Sequence, residues 1–430
     1  MQFVPADRLS RAGRPLVWAA GFMLFALVAA AVFVYRANER EVITPAAPKA
    51  SSEPEPVTRA DAASRLLLDL SDALTGQSRR AAVRLAAPDE PHARRSLATI
   101  YNNVQHLGVT DLSMRFVDEE PGKLDDSERR TLGPRAWVAD VALGWRIRGY
   151  DKSEANMEVS LALVDTPGGA RFASAADDFG NPAPLWLLDH LAVSRSSRAL
   201  VAAADRRQLR RYSGLANEAV RDVRKVLPRW RGRLVVEVPA SQHELDRLLD
   251  ARPNAYNSIA AVTASVDGSM SPTAPVHIMV NPEVFGHLGD RGGQIVMSHE
   301  ATHVAMNAAT STMPLWLLEG FADYVALARS DLPVSVTASQ ILAEVRKSGP
   351  PRELPGPHEF DPGNKLLGTS YEAAWLASRL LAETYGEQRL ISFYREVDAG
   401  TPVDKAFAQL GTTQEEFTQQ WRRYLRELAE

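Results

Sequence analysis

The chain of 430 residues contains no cysteine. This absence excludes disulfide bonds, thiolate metal sites, cysteine nucleophiles and lipid attachment at an N-terminal cysteine. Any metal must therefore be held by carboxylates and by some of the nine histidines. An excess of positive charge is also missing, because 49 Lys and Arg stand against 53 Asp and Glu, for a net charge of -4. Without an excess of positive charge, the chain has little electrostatic attraction for nucleic acid. We therefore expect no nucleic-acid partner.

The remaining composition is that of an ordinary folded protein. Hydrophobic residues make up 45% of the chain and charged residues 24%. These values exclude a fully disordered chain and a membrane protein with many spans. At roughly 100 to 200 residues per domain, the length allows two or three domains.

One long apolar run lies near the N-terminus. Residues 15–35 carry no charge, and as a helix they would measure about 31 Å, the thickness of one bilayer core. A cleaved secretory signal is an alternative, because residues 29–31 resemble a cleavage site, but the apolar run continues through Tyr35. A buried helix of a soluble domain is a third possibility. We predict an uncleaved transmembrane anchor at residues 15–36.

The flanking charges give the predicted orientation. Three arginines precede the apolar run within residues 1–14, whereas the two that follow it are accompanied by glutamates. The positive-inside rule then predicts a cytoplasmic tail at residues 1–14 and a single-pass cell-membrane protein with its bulk outside the cytoplasm. Residues 37–60 are rich in proline and lack apolar periodicity, which predicts a linker.

Helices followed by strands are predicted in the next region. Apolar residues have helical spacing in residues 62–87 and 93–107, and then alternate with period two in residues 112–116, 137–147 and 157–163. A fourth strand is expected near residues 170–175. Turn residues between the strands suit an antiparallel meander covered by the helices. This order resembles the NTF2-like cone fold over residues 61–189, in which Trp137, Trp145 and Trp186 would line a ligand pocket or belong to the core.

The C-terminal half combines strands with many helices. Strands are predicted at residues 199–203, 234–238, 259–266 and 276–280, with a helix at 206–226, and the order is almost wholly helical after residue 290. The complete predicted fold class is therefore α+β. It comprises a transmembrane helix, the NTF2-like cone, and a third domain at residues 190–430 with a small mixed or antiparallel sheet and a mainly helical end.

The pattern H-E-x-x-H occurs at residues 299–303. On a helix, positions i and i+4 project from one face, so that His299 and His303 can bind one metal ion. Glu300 then lies beside the metal and can take a proton from a metal-bound water, as the base of a metallohydrolase must. Histidines that only form hydrogen bonds in a core are the alternative explanation.

A second helix is predicted in the string PLWLLEGFADYVALA, in which Glu319 lies sixteen positions beyond His303. This string resembles the glutamate helix of gluzincins, peptidases of the MA-like type whose third zinc ligand lies in a W-L-x-E-G-x-A-like motif. The matching positions are Trp316, Leu317, Glu319, Gly320 and Ala322. The resemblance covers about residues 199–430 and implies Zn²⁺ bound by His299, His303 and Glu319, with a water in the fourth position.

Further residues follow from the same resemblance. It implies that Asp323 accepts the free ring N–H of His299, although a solvated carboxylate is the alternative. Residues 275–281 are similar to the edge strand on which such enzymes align a peptide, and a buried strand is equally expected. Tyr371 is predicted to stabilise the oxyanion, in competition with His358 and with a simple packing role for Tyr371. The connection from His303 to Glu319 is shorter than in the larger gluzincins, and no G-x-M-E-N-like string supports an exopeptidase.

These observations predict a membrane-anchored zinc metallopeptidase, with Glu300 as general base and a peptide or protein as substrate. The membrane partner would be bound through residues 15–35. Two alternatives stay open. One is a non-catalytic binding protein of the cell envelope that uses its NTF2-like domain. The other is a zinc hydrolase of a non-peptide substrate.

Overall fold

The computed structural model describes residues 58–88, 90–120, 122–175, 181–328, 330–361 and 363–430. The predicted tail and anchor, and the predicted linker up to residue 57, lie outside these residues. Within them, no helix is both long and apolar enough to cross a membrane. The two longest helices have 18 and 19 residues and are interrupted by charged side chains, so they pack as amphipathic elements. The predicted fold class is therefore corrected to an α+β fold with two sheets and no membrane helix in the described part of the chain.

The first described region begins with helices. They are α1 (Arg59–Thr75), α2 (Arg79–Val83) and α3 (Pro91–Leu107). Thr58 begins α1 with a capping box, in which its hydroxyl accepts from the Asp61 N–H and the Asp61 carboxylate accepts from the Thr58 N–H. The single helix predicted over residues 62–87 is wrong, because α1 ends at Gly76 and the Ser78 side chain caps a new helix.

The first sheet follows these helices and is antiparallel throughout. Its strands are β1 (Val109–Glu119), β2 (Ala136–Ile147), β3 (Ala155–Thr166) and β4 (Gly169–Ala175), in that spatial order. Helix α4 (Asp126–Leu132) connects β1 to β2, and α5 (Leu185–Leu188) follows the sheet. Helix α1 packs against β1 and β4. The meander therefore has the order predicted from the alternation, while its resemblance to an NTF2-like cone stays a prediction.

The middle of this sheet is covered on both faces. The face that carries Trp137, Val141 and Trp145 packs against the helices, and a smaller apolar cluster on the other face includes Leu124 and Val138. The prediction of half-buried strands is therefore wrong for β2, in which ten of twelve residues are buried. The rings of Trp145 and Trp186 meet edge to face, and the cavity beside them measures about 20 Å³. That volume holds about one water, so these two tryptophans are core residues.

The second sheet is mixed. Its strands are β5 (Ala192–Arg195), β6 (Ala199–Ala203), β7 (Leu234–Val238), β8 (Ala261–Ser265) and β9 (Val276–Val280), in the order β5-β6-β7-β9-β8. Helix α6 (Leu209–Val226) connects the parallel pair β6 and β7 and packs on β6. The predicted edge strand at residues 275–281 is wrong. The β8–β9 hairpin folds so that β9 pairs with both β7 and β8, which leaves β8 at the edge.

The rest of the chain is helical. The elements are α7 (Gln242–Leu248), α8 (Pro282–Gly286), α9 (Asp290–Met306), α10 (Leu315–Leu327), α11 (Val334–Thr337), α12 (Ser339–Ser348), α13 (Leu367–Tyr385), α14 (Glu387–Asp398), α15 (Val403–Gln409) and α16 (Gln414–Ala429). Short 3-10 helices occur at Ala308–Thr310 and Pro357–Phe360. Helix α9 packs on α6, α10 and β8, and α10 packs on α13. One large apolar core joins these helices to the second sheet.

A buried ionic cluster joins the two sheets. His277 on β9 contacts Glu237 on β7 through Nδ1 at 2.6 Å and Asp151, in the turn after β2, through Nε2 at 3.0 Å. Only 1% of the His277 side chain is exposed. Burial alone would lower the pKa of His277, but the Asp151 and Glu237 carboxylates outweigh it and raise this pKa to about 10. A protonated His277 thus lies between two carboxylates and compensates one of their two negative charges at the contact between the sheets.

This cluster predicts a pH-dependent stability. We expect His277→Gln to lower the unfolding free energy by about 3 to 5 kcal/mol near pH 6, because two buried carboxylates lose their cation. The folded-state pKa of His277 lies above its unfolded value, so the stabilisation is complete below about pH 6.5 and is lost as the pH rises through about 10. Denaturant titrations of the two proteins should therefore converge between pH 6 and pH 10. A difference that stays constant or grows with pH contradicts this role, and the exposed His243→Gln is the control.

Candidate metal site

Helix α9 is held by polar contacts on the face that it turns toward α6. The Ser298 hydroxyl donates to the Asp222 carboxylate at 2.9 Å, and the Gln294 amide donates to the same oxygen at 3.2 Å. Gly289 caps the helix, and Asp290 lies in its first turn without a side-chain cap contact. The helix ends at Asn307, which has a left-handed backbone with φ of 56°. These contacts fix the rotation of α9 and thereby the direction of its histidines.

Three side chains from two helices converge beside this helix. His299 and His303 come from α9, and Glu319 comes from α10. The two histidine Nε2 atoms lie 3.0 Å apart, and Glu319 Oε2 lies 3.0 Å from His299 Nε2 and 3.3 Å from His303 Nε2. Their side chains are 10 to 14% exposed. The structure therefore brings together all three residues that the sequence predicts as ligands, and solvent reaches them.

These distances fit a tetrahedral metal site. Ligand bonds of about 2.0 to 2.1 Å separate two tetrahedral ligand atoms by about 3.3 Å, close to the spacing of these three atoms. His299 Nδ1 lies 2.7 Å from Asp323 Oδ1, so in a neutral ring the N–H is at Nδ1 and the Nε2 lone pair faces the cluster. Converging lone pairs repel one another unless a proton or a cation lies between them. Two imidazoles and one carboxylate are a donor set that suits Zn²⁺.

The charges of the cluster favour a cation at this position. Burial alone would lower the pKa of His299, but the Asp323 and Glu319 carboxylates outweigh it and raise this pKa. For Glu319, burial acts to raise the pKa, and the two histidines outweigh that effect and lower it. The pocket thus keeps Glu319 ionised and holds positive charge beside it. A metal ion would take the place of that positive charge.

Glu300 lies next to the ligands, and its carboxylate accepts a separate hydrogen bond. Its side chain is buried, and its Oε2 accepts from the Thr263 hydroxyl at 2.7 Å. The same hydroxyl lies 3.1 Å from the Glu300 carbonyl oxygen. Burial raises the pKa of Glu300. Thr263 is on β8, so the edge strand fixes the orientation of this carboxylate.

Tyr371 reaches the site from α13. Its ring centroid lies 6.0 Å from that of His299 and 5.3 Å from that of Phe360. Burial, together with the nearby carboxylates of Glu319 and Asp323, raises the pKa of the phenol well above its usual value, which keeps the O–H as a donor. His358 is exposed, and no described contact joins it to the cluster. The structure thus brings Tyr371, and not His358, to the predicted ligands.

Comparisons with known proteins give no assignment. No protein-family model matches the chain, and no curated protein matches it at a significant level.

Three functional contacts have no signal in the local sequence. Thr263, Asp222 and Phe360 lie 37, 76 and 11 positions from the residues that they contact. None of them belongs to a short motif. Only the pairing of β8 with β9 and the packing of α6 and α13 bring them to the site.

The contact between Asp323 and His299 predicts an effect on metal affinity. We expect Asp323→Asn to raise the zinc dissociation constant about 10- to 100-fold, because the ring orientation and the basicity of His299 depend on this carboxylate. Competition with a chromophoric chelator measures the constant. Asp404→Asn, an exposed carboxylate on α15, is the control. Equal affinities of the Asp323 variant and the wild type would show that this carboxylate does not support the ligand.

Proposed function

We propose that this chain is a zinc metallopeptidase with His299, His303 and Glu319 as its ligands. The observation that carries the proposal is the convergence of the three ligand atoms within 3.0 to 3.3 Å of one another. The Glu300 carboxylate is close enough to interact electrostatically with all three residues. A structural zinc site commonly has four protein ligands, whereas three leave a position open for chemistry. Among the described residues, only these three form such a cluster.

The chain's own residues supply the proton transfers. Zinc held at this site would act as a Lewis acid on the substrate carbonyl and activate the attacking water. Thr263 donates to Oε2 of Glu300, which leaves Oε1 to accept a proton from the water. Glu300 then delivers this proton to the nitrogen of the leaving amine as the C–N bond breaks. The Tyr371 phenol donates to the oxygen that becomes negatively charged when the carbonyl is attacked.

The position of β8 favours a peptide over other carbonyl substrates. This strand is at the edge of its sheet, packs against α9, and carries Thr263 beside Glu300. An extended peptide that pairs with such an edge places its carbonyl groups at regular intervals along the strand. Four of the five β8 residues are half-buried and therefore partly open to solvent. An endopeptidase fits this arrangement, because an open edge strand does not require a free terminus.

The general base provides the first test. We expect Glu300→Gln to retain about one zinc per chain and to lose hydrolysis of a peptide library by at least about 10³-fold, because the amide cannot accept the proton. Metal analysis and cleavage by mass spectrometry are measured on the same preparation, with Glu415→Gln as the control. Turnover equal to that of the wild type would overturn the peptidase mechanism. Cleavage of esters but not of peptides by the wild type would favour a zinc hydrolase of a non-peptide substrate. Zinc binding without any hydrolysis would favour a non-catalytic binding protein.

The oxyanion donor provides a second test. We expect Tyr371→Phe to lower kcat about 10²- to 10³-fold with little change in KM, because the hydrogen bond strengthens as charge develops. Tyr385→Phe removes a hydroxyl from the other end of the same helix and is the matched control. Steady-state kinetics on one peptide measure both variants. An unchanged kcat for Tyr371→Phe would leave this residue with a packing role only.

A further inference from the structure

A pocket lined by arginines lies in the first region, away from the metal-ligand cluster. Its volume is about 970 Å³, and it is formed by α2, the start of α3 and the turn between β3 and β4. The arginines are Arg79, Arg80, Arg84, Arg94 and Arg171. The rest of the lining consists of small, apolar or hydroxyl-bearing residues.

No acidic side chain in the described part of the chain pairs with the arginines of this pocket. No Asp or Glu belongs to its lining, and among the described residues no ion pair involves any of the five arginines. The whole chain has a net charge of -4, so five cations around one concavity are a local departure from its composition. Their mutual repulsion decreases when an anion lies between them.

Backbone carbonyls hold three of the guanidinium groups in place. Arg171 donates to the carbonyl oxygen of Ala170 at 2.9 Å, and Arg84 donates to that of Arg80 at 3.3 Å. Arg94 donates to the carbonyl oxygen of Pro88. A carbonyl orients a guanidinium but leaves its charge intact, and each group has further N–H donors. Three of the five guanidinium groups are therefore oriented and still able to donate to an acidic ligand.

Hydrogen bonds connect the backbone segments that surround the pocket. Ala87 N–H donates to the Phe172 carbonyl at 2.7 Å, and Phe172 N–H donates to the Leu85 carbonyl at 3.0 Å. These bonds occupy the outer edge of β4 where it adjoins the pocket. An extended peptide therefore cannot pair with the strand there, and recognition depends on the side chains. This favours a compact ligand with a high charge density over an acidic peptide.

We propose that this arginine pocket binds a compact polyanion that carries two or more phosphate groups. The planar guanidinium donates two parallel hydrogen bonds to one phosphate, and phosphate concentrates more charge in a small volume than a carboxylate does. The volume is in the range of small-molecule sites. A free oligophosphate and a phospholipid headgroup with two or more phosphates share this chemistry.

Calorimetric titration of the full chain with sodium tripolyphosphate tests the proposal. We expect saturable binding of about one ligand per chain, with the affinity of Arg84→Glu/Arg171→Glu reduced at least tenfold. Arg352→Glu/Arg389→Glu changes the net charge equally at exposed positions outside the pocket and should bind like the wild type. Any heat from metal chelation is common to all three proteins. Circular dichroism shows whether the pocket variant remains folded, and the single Arg80→Ala, which keeps the carbonyl contacts, should also weaken binding.

Two further titrations distinguish the sources of phosphate. Binding of tripolyphosphate but not of cardiolipin vesicles identifies a soluble ligand. Tighter binding of these vesicles, whose lipid headgroup carries two phosphates, identifies a lipid headgroup if the binding is lost in the pocket variant. Either result supports the phosphate site. The proposal is overturned if the wild type binds none of these probes, if the control variant loses as much affinity as the pocket variant, or if a glutamate-rich peptide binds and the phosphates do not.

Discussion

The close packing of α10 on α13 is the constraint on which the candidate site depends. At Gly320, a Cβ atom would lie 2.2 Å from the carbonyl oxygen of Ala374, a distance that no side chain can occupy. Only glycine allows the two helices to approach this far. Glu319 precedes this glycine on α10, and Tyr371 lies one turn before Ala374 on α13. One backbone contact therefore brings the carboxylate of Glu319, a proposed metal ligand, and the phenol of Tyr371 to the same place.

Around this contact, two side chains of the candidate site and helix α9 itself are supported by further polar residues. Asp323 orients His299, Thr263 orients Glu300, and Asp222 holds the α9 backbone through Ser298. These supports come from different elements, so the site is assembled by the tertiary fold. A side chain that is held in one rotamer loses little entropy when it binds a metal or a substrate. The arrangement is therefore preorganised, as catalysis by proton transfer and charge stabilisation requires.

The parts of the site that could be predicted from sequence are those that lie on single helices. His299, Glu300 and His303 have a fixed geometry because α9 has 3.6 residues per turn, and Glu319 and Asp323 share one face of α10 for the same reason. Thr263 was not predictable, because its contact depends on β8 folding outside β9. The same non-local pairing made the predicted edge strand wrong.

The fold shows the same division between local and non-local information. The alternation of apolar residues predicted the strands of the first sheet, but not the burial of both faces of β2, which depends on the remote Leu124. The helical spacing of apolar residues continues across Gly76, so the end of α1 could not be predicted from it. The arginine pocket combines residues from positions 79 to 171, which no window of sequence shows together.

X-ray absorption at the zinc edge of the purified chain is the most direct test of the proposed metal centre. We expect about one zinc per chain with four nitrogen or oxygen neighbours at about 2.0 to 2.1 Å, and outer-shell scattering from two imidazoles. Glu319→Gln should change the first shell while both imidazole signals remain. A protein that binds no zinc, or a spectrum without imidazole scattering, would contradict the proposed metal centre.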